Sequence, residues 1–550
     1  MAALPPAKPP YVSRTQEQAL NAVLRIAALS LSFLAPGAHA APPSPVYTNP
    51  ILHADYSDPD VIRVGDMYYM TSSSFNSSPA LPLLQSRDMV HWELVGHAVQ
   101  RQLPLDVYAQ PRHGDGVWAP CLRYHDGKFW IFYPDPDVGV YVTTATGFTG
   151  PWSEPRLLLA GKGVIDPTPL WDDDGKAYLL HAWAKSRAGF NNVLTLRRMA
   201  PDGSRMLDEA GPVVIDGNKL PNYRTLEGPK LYKHDGWYYV FAPAGGVETG
   251  WQSVFRSRRI DGPYEDRIVM AQGISPVNGP HQGAWVRTPQ GEDWFYHFQD
   301  KRAYGRVVHL QPMAWQDGWP VIGIDREGKG TGEPVMTYRP PVAADTRMAM
   351  PPSSDEFNAP VLGLQWQWNA NWRPEWYSLT VRPGWLRLQA WSDAAGARNL
   401  WHAPAVLLQK LPAERFTVDA LVDGAGLAEG GKAGLLMYGM DYRWIGVRRH
   451  GGKLMVVAAG CDKANKACTE KDEAVAPLAG NSVHLRMAVA EGGVTRFSYS
   501  ADGVAYTTVG QPFTAAMGRW VGAQMGLFSI APATAAGYAE IDYFRVSPAN

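Results

Sequence analysis

Scarcity in this chain removes several functional classes before anything else is read. Only three cysteines occur, Cys121, Cys461 and Cys468. No Cys-x-x-Cys or His-Glu-x-x-His spacing exists, so structural zinc and zinc-protease chemistry have no support. Net charge is scarce too: the formal value is -1 at pH 7, which gives no electrostatic basis for binding nucleic acid or an anionic membrane. No apolar stretch is long enough to span a bilayer, and no long stretch carries apolar residues at helical spacing. What remains is an ordinary water-soluble composition, 45% hydrophobic and 19% charged, in a chain whose 550 residues are too many for one core. Two domains are expected.

Aromatic residues are plentiful, with 21 Trp and 25 Tyr. Most serve as β-strand core, but flat amphipathic rings also suit the apolar faces of sugars. At the N-terminus, Arg14 and Arg25 precede an apolar stretch from Ile26 to Ala35, and Ala38-His39-Ala40 ends it with small residues. That pattern reads as a secretory signal over residues 1–40, giving a periplasmic or secreted protein. In such an oxidising compartment Cys461 and Cys468, which flank a polar loop, could pair, leaving Cys121 as a buried inert thiol.

The main signal is repetition. Five units, each roughly fifty to sixty residues long, carry a turn dipeptide followed by an aromatic strand, a period in the range of propeller blades. The turns are Gly65-Asp66, Asp126-Gly127, Asp174-Gly175, Asp235-Gly236 and Gly291-Glu292-Asp293. Four units open on an acid or a histidine: Asp58-Pro59-Asp60, Asp166-Pro167-Thr168-Pro169, Glu227-Gly228-Pro229-Lys230 and His281-Gln282-Gly283. The remaining one opens on Trp118-Ala119-Pro120. A five-bladed β-propeller over 46–338 would bring these openings together on one axis. A Pro-rich aperiodic linker (339–352) follows, and then alternating strands such as Trp385–Ala390 and Tyr538–Val546 that read as a β-sandwich over 353–550. The sandwich either packs on the propeller and closes one side of the pocket or hangs on a flexible arm.

Asn49-Pro50-Ile51-Leu52 with Asp55-Tyr56-Ser57-Asp58-Pro59-Asp60, Ile165-Asp166-Pro167-Thr168-Pro169, and Leu226-Glu227-Gly228-Pro229-Lys230 together resemble glycoside hydrolase family 43. The second half is similar as well: Asp355-Glu356-Phe357-Asn358 and Leu364-Gln365-Trp366-Gln367-Trp368 resemble the start of the concanavalin-like sandwich of its β-xylosidase-type members. The resemblance implies a five-bladed propeller that hydrolyses β-xylosides or α-L-arabinofuranosides with inversion, acting on xylan, arabinoxylan or xyloglucan fragments. It assigns Asp58 as general base, Glu227 as general acid and Asp166 as the carboxylate that tunes that acid. It also places Arg306 at the substrate, and puts His281 near a water-coordinated calcium. A satisfied structural imidazole is the other reading of His281. No redox cofactor is implied.

The chemistry agrees with that division. Inversion needs one carboxyl to hold a water for attack on the anomeric carbon and another, about 6.5–9.5 Å away, to protonate the leaving oxygen. The acid must stay protonated near neutrality, which nearby negative charge or desolvation achieves. Asp-Pro and Glu-Gly-Pro are also plain turn formers, but turn chemistry does not explain an acid at the start of three separate units. Asp55, Asp60 and the run Asp172-Asp173-Asp174 are expected to be solvated turn residues. Phe75 and Trp118 are expected to line the sugar pocket, with Trp183 and Trp251 as further candidates. Two other functions remain open at this point: a non-catalytic carbohydrate-binding propeller, and a retaining fructan-type furanosidase, whose carboxyls would stand about 5–5.5 Å apart.

Overall fold

The computed structural model describes residues 45–342, 350–392, 399–466, 468–533 and 535–548. The expected secretory signal and the middle of the expected linker lie outside them. The described chain is nearly all β: one four-residue α-helix, Lys185–Ala188, and short 3-10 turns are its only helices.

Five four-stranded antiparallel sheets follow one another in sequence, each a simple up-and-down meander. Blade 1 comprises Asp60–Val64, Met67–Thr71, Ala80–Ser86 and Glu93–Val99. Blade 2 runs from Cys121–His125 to Arg156–Ala160, blade 3 from Val164–Trp171 to Val213–Asp216, blade 4 from Lys230–His234 to Glu265–Met270, and blade 5 from His281–Arg287 to Trp319–Ile322. The turn dipeptides do what their chemistry demands. Asp126-Gly127 (φ 49° and 71°) and Asp235-Gly236 (φ 48° and 73°) both take the left-handed conformation of tight hairpins whose twist matches the flanking strands. The aromatic strands after these turns fill the seams between blades. Tyr239 and Phe241 of blade 4 pack with Phe295, Met313 and Trp319 of blade 5. Truncating a buried ring such as Phe241 to alanine is expected to cost about 3–5 kcal/mol.

A propeller must be closed against the splaying of its first and last blades. Here Tyr47–Thr48 pairs antiparallel with Thr337–Tyr338, and Leu52 bridges Val308 of blade 5. The buried Asn49 side chain adds bonds to the carbonyls of Leu310 and Val335, both at 2.8 Å. The ring is therefore tied by residues more than 250 positions apart, which fixes the axis on which the blade openings meet.

The second domain stacks an eight-stranded sheet on a seven-stranded one. Phe416–Asp423 alternates buried and half-buried residues along its whole length, and Phe416, Val418, Ala420 and Val422 face the core between the sheets. Cys461 and Cys468 form a disulfide, and Cys121 is free and buried, its thiol pushed up to about 11 by desolvation.

The sandwich is no flexible appendage. Ser78 and Trp368 exchange backbone hydrogen bonds across the junction (3.1 and 2.6 Å). Asn371 Oδ1 accepts from Gln102 N at 2.7 Å while its Nδ2 donates back to Gln102 O at 2.9 Å, and His113 stacks on Trp401 at 3.7 Å. Ala303, Tyr304 and Val307 of the propeller belong to the same hydrophobic core as the sandwich strands.

Candidate active site

The openings of the innermost strands converge on a cavity of about 280 Å³. Asp58, Asp166, Glu227, His281, Arg306, Phe75 and Trp118 all line it, so the structure brings together every site residue expected with the resemblance. Trp183 and Trp251 do not line it. Their indole N–H groups are spent on Thr195 (2.9 Å) and Ser253 (3.0 Å), and Trp183 packs on Phe190 instead.

The four openings are not quite equivalent. Asp58 and Asp166 each sit in the left-handed region (φ 54° and 53°) directly before a proline. In blade 4 that position belongs to Gly228 (φ 59°), and Glu227 stands one residue earlier. In blade 5 the left-handed residue is Gln282 (φ 37°), again one past His281. Left-handed backbone at a non-glycine residue costs about 1–3 kcal/mol and persists only where surroundings enforce it. Here it turns the two aspartates of blades 1 and 3 toward the axis. The stagger changes what each carboxyl meets.

Asp58 is 5% exposed and well supplied with donors. Ser73 Oγ donates to its Oδ2 at 2.5 Å, and Arg306 Nη1 reaches both carboxylate oxygens at 3.2 and 3.3 Å. Asp166, 6% exposed, accepts from the backbone N–H of Gly228 at 2.7 Å. Burial still pushes its carboxyl well above the usual range, and the Asp58 charge adds to that.

Glu227 has no such support. Among the described residues no hydrogen-bond donor reaches its carboxyl, and His281 Nε2 stands 3.5 Å from its Oε1. Loss of water and the neighbouring Asp166 hold Glu227 well above the ordinary carboxyl range, against the pull of Arg306. His281 is driven down to about 3 by burial and by Arg306, so near neutrality it is a neutral ring and the contact with Glu227 is no ion pair.

His281 is 1% exposed, and among the described residues neither ring nitrogen has a hydrogen-bond partner. Calcium takes six to eight oxygen ligands, and among the described residues no group of three or more His, Cys, Asp or Glu could hold a metal ion. The donor set therefore does not fit a protein-built calcium cage; it offers one imidazole to a water, or to an ion otherwise held by water.

Two residues expected in solvated turns are buried. Asp60 is fully buried, accepting from Leu122 N (2.7 Å) and Arg123 (3.0 Å) with Lys230 at 3.4 Å, and Arg123 also bonds Thr168 of blade 3. Asp55, 7% exposed, is likewise fully engaged. Asp172 bonds Lys233 and Tyr238, while Asp173 and Asp174 are exposed as expected.

Sequence reasoning also missed part of the wall. Gln282, which lines the cavity, and Ser73, which donates to Asp58 behind it, sit beside residues already singled out, and a polar neighbour in the same loop was the available signal. Trp520 had none. It comes from the sandwich, 41% exposed, and reaches the cavity edge-on to Trp118 with ring centres 6.3 Å apart.

Residues 47–320 match the profile of glycosyl hydrolases family 43, and residues 354–547 match the β-xylosidase C-terminal concanavalin A-like domain. A protein of Xylanibacter ruminicola named for β-xylosidase activity is 38% identical over 87% of this chain and 85% of its own length. The β-xylosidase of Formosa agariphila is 34% identical over 90% of each. Among solved structures, xylan β-1,4-xylosidase from Bacillus halodurans superposes with a TM-score of 0.80 at 26% identity, covering 91% of this chain and 99% of that one. With three carboxyls and an arginine gathered at the axis of a closed five-bladed ring, the chain belongs to glycosyl hydrolases family 43 and is a glycoside hydrolase.

Proposed function

We propose that the protein is an exported, inverting exo-β-xylosidase that removes terminal xylose from xylan-derived oligosaccharides, with Asp58 as base and Glu227 as acid. One observation carries the assignment: two carboxyls of the same cavity have opposite surroundings. Asp58 is matched by Arg306 and Ser73 and accepts from both, as a base aligned on a water must. Glu227 is desolvated, lacks donors and faces Asp166, so it keeps the proton that a leaving oxygen needs. In the single displacement, Asp58 takes a proton from water as its oxygen attacks the anomeric carbon. The glycosidic bond breaks, and its electrons leave with the oxygen, which takes the proton of Glu227. Asp166 keeps Glu227 protonated through its charge. Neutral His281 offers a water, or a water-held calcium, a nitrogen ligand beside the acid. No step runs through that ion.

Phe75, Trp118 and Trp520 supply flat apolar surface for sugar rings. A cavity of about 280 Å³ walled partly by the second domain suits a chain end rather than the middle of a polymer, which supports exo action. The xylosidase names of the relatives favour β-xylosides over α-L-arabinofuranosides. The Cys461–Cys468 disulfide fits an oxidising compartment.

Proton NMR of xylobiose hydrolysis tests the mechanism directly. α-Xylose should appear first and mutarotate; β-xylose as first product would exclude inversion. Parallel assays on nitrophenyl β-xyloside and nitrophenyl α-L-arabinofuranoside test the sugar, and a higher kcat/KM on the second would overturn the preference.

A further inference from the structure

Asp55 lies three residues before Asp58 on the same loop and touches neither the cavity nor any expected substrate position. Both of its oxygens are nevertheless committed. Oδ1 accepts from Ser57 Oγ at 2.6 Å and from the backbone N–H of Arg306 at 3.0 Å. Oδ2 accepts from the backbone N–H of Gly522 at 2.8 Å. The first N–H belongs to the arginine that holds Asp58, and the second to the sandwich.

Gly522 closes the short loop that carries Trp520 into the cavity, for Gly518 N bonds Gly522 O at 3.4 Å. The loop has no slack. A Cβ on Gly522 would lie 2.5 Å from Gly305 N, and one on Gly305 would lie 2.4 Å from Asp55 Cγ. Trp520 itself takes the left-handed conformation (φ 66°), which neighbours must enforce because tryptophan does not favour it. Next to it, Ala523 N donates to Ala303 O at 2.7 Å, so backbone of the two domains runs in contact on either side of the carboxylate.

We propose that Asp55 is a positioning residue: one buried carboxylate sets Arg306 and the Trp520 loop at fixed places around the cavity, coupling the docking of the sandwich to the geometry of the catalytic site. This rests on the β-xylosidase reading. A carboxylate accepts at both oxygens, whereas the Asn amide presents an acceptor on one side and a donor on the other. In Asp55→Asn, either Arg306 N or Gly522 N must lose its acceptor, and leaving a buried N–H unpaired is costly enough to move the loop.

The test is a double-mutant cycle on kcat/KM for xylobiose with wild type, Asp55→Asn, Trp520→Ala and the double variant. Each single change is expected to lower kcat/KM roughly tenfold. Because one of the two arms of Asp55 runs through the Trp520 loop, the two losses overlap and the double variant should fall by only about ten- to thirtyfold. A merely structural aspartate would give independent losses, about a hundredfold together, and that additivity would overturn the proposal. Gly522→Ala gives a second route, since it displaces the loop and leaves the carboxylate intact. It should reproduce the Asp55→Asn loss in the wild-type background and cost under about threefold beside Trp520→Ala. If Asp55→Asn does not fold, Gly522→Ala decides alone, and a full tenfold loss beside Trp520→Ala would overturn the proposal. Inactive wild type on xylobiose would instead refute the substrate reading.

Discussion

Blade 1 and blade 4 present a carboxyl at the same mouth of the same ring, yet the two openings are built to opposite ends. Blade 1 surrounds Asp58 with donors, one from the loop after its second strand (Ser73) and one from blade 5 (Arg306). Among the described residues blade 4 leaves Glu227 without any, and it sets that side chain beside the buried Asp166. The stagger begins in the backbone. Glycine takes the left-handed position in blade 4, so the acid moves one residue back, where Arg306 acts on it by charge without a hydrogen bond. Fold symmetry supplies convergence; departures from that symmetry supply the division of labour.

Removing the base is the strongest way to break the comparison. Asp58→Ala leaves the attacking water without a proton acceptor whatever the leaving group. It is expected to lower kcat by about 10³–10⁴-fold on xylobiose and on an activated aryl xyloside alike. A loss confined to one substrate would mean that Asp58 does something else. Glu227→Gln should break the other half differently. Xylobiose, whose leaving oxygen needs a proton, is expected to lose about 10²–10⁴-fold in kcat. A dinitrophenyl xyloside, whose leaving group departs as an anion, should lose less than about tenfold. Equal losses on both would remove Glu227 from the acid's role.

Arg306→Met is the next largest. It strips Asp58 of its charged partner while sparing the backbone N–H that Asp55 accepts, and a cost of about 1.5–3 kcal/mol in kcat/KM is expected for a charged hydrogen bond lost at a buried site. Because Arg306 also opposes the proton on Glu227, its loss should move the alkaline limb of the pH profile upward. An unmoved limb would show that the arginine does not couple the two carboxyls.

How far the sequence carried depended on range. Repeats with Asp-Gly turns and aromatic strands are local signals, and they gave the propeller because hairpin twist and blade packing follow from neighbouring residues. The three acids were legible through the same repetition. Glu227's one-residue displacement was not, since Gly-Pro and Asp-Pro both read simply as turns and only φ separates them. Asp55 and Asp60 read as solvated for the same reason: an aspartate in a turn looks alike whether water or a buried N–H satisfies it. Trp183 and Trp251 could not be told from Trp118 because aromatic residues in blade strands serve packing and binding with the same side chain. Trp520 is about four hundred residues from its neighbour Trp118 and comes from a different fold, so only assembled geometry reveals it.

The finest test concerns the third carboxyl, Asp166, which the proposed mechanism has act by charge alone. In the wild type, Glu227 must be protonated to work, so activity should fall as pH rises through its value near 8. Asp166 raises that value by standing nearby as an anion. Asp166→Asn keeps the shape, and its amide oxygen can still accept from Gly228 N, but the negative charge is gone. Glu227 should then release its proton at lower pH, moving the alkaline limb of kcat down by about one unit or more. The maximum rate should change far less than in Asp58→Ala. A limb that stays put, with the rate reduced uniformly across pH, would mean that Asp166 orients the acid mechanically and that burial alone keeps Glu227 protonated.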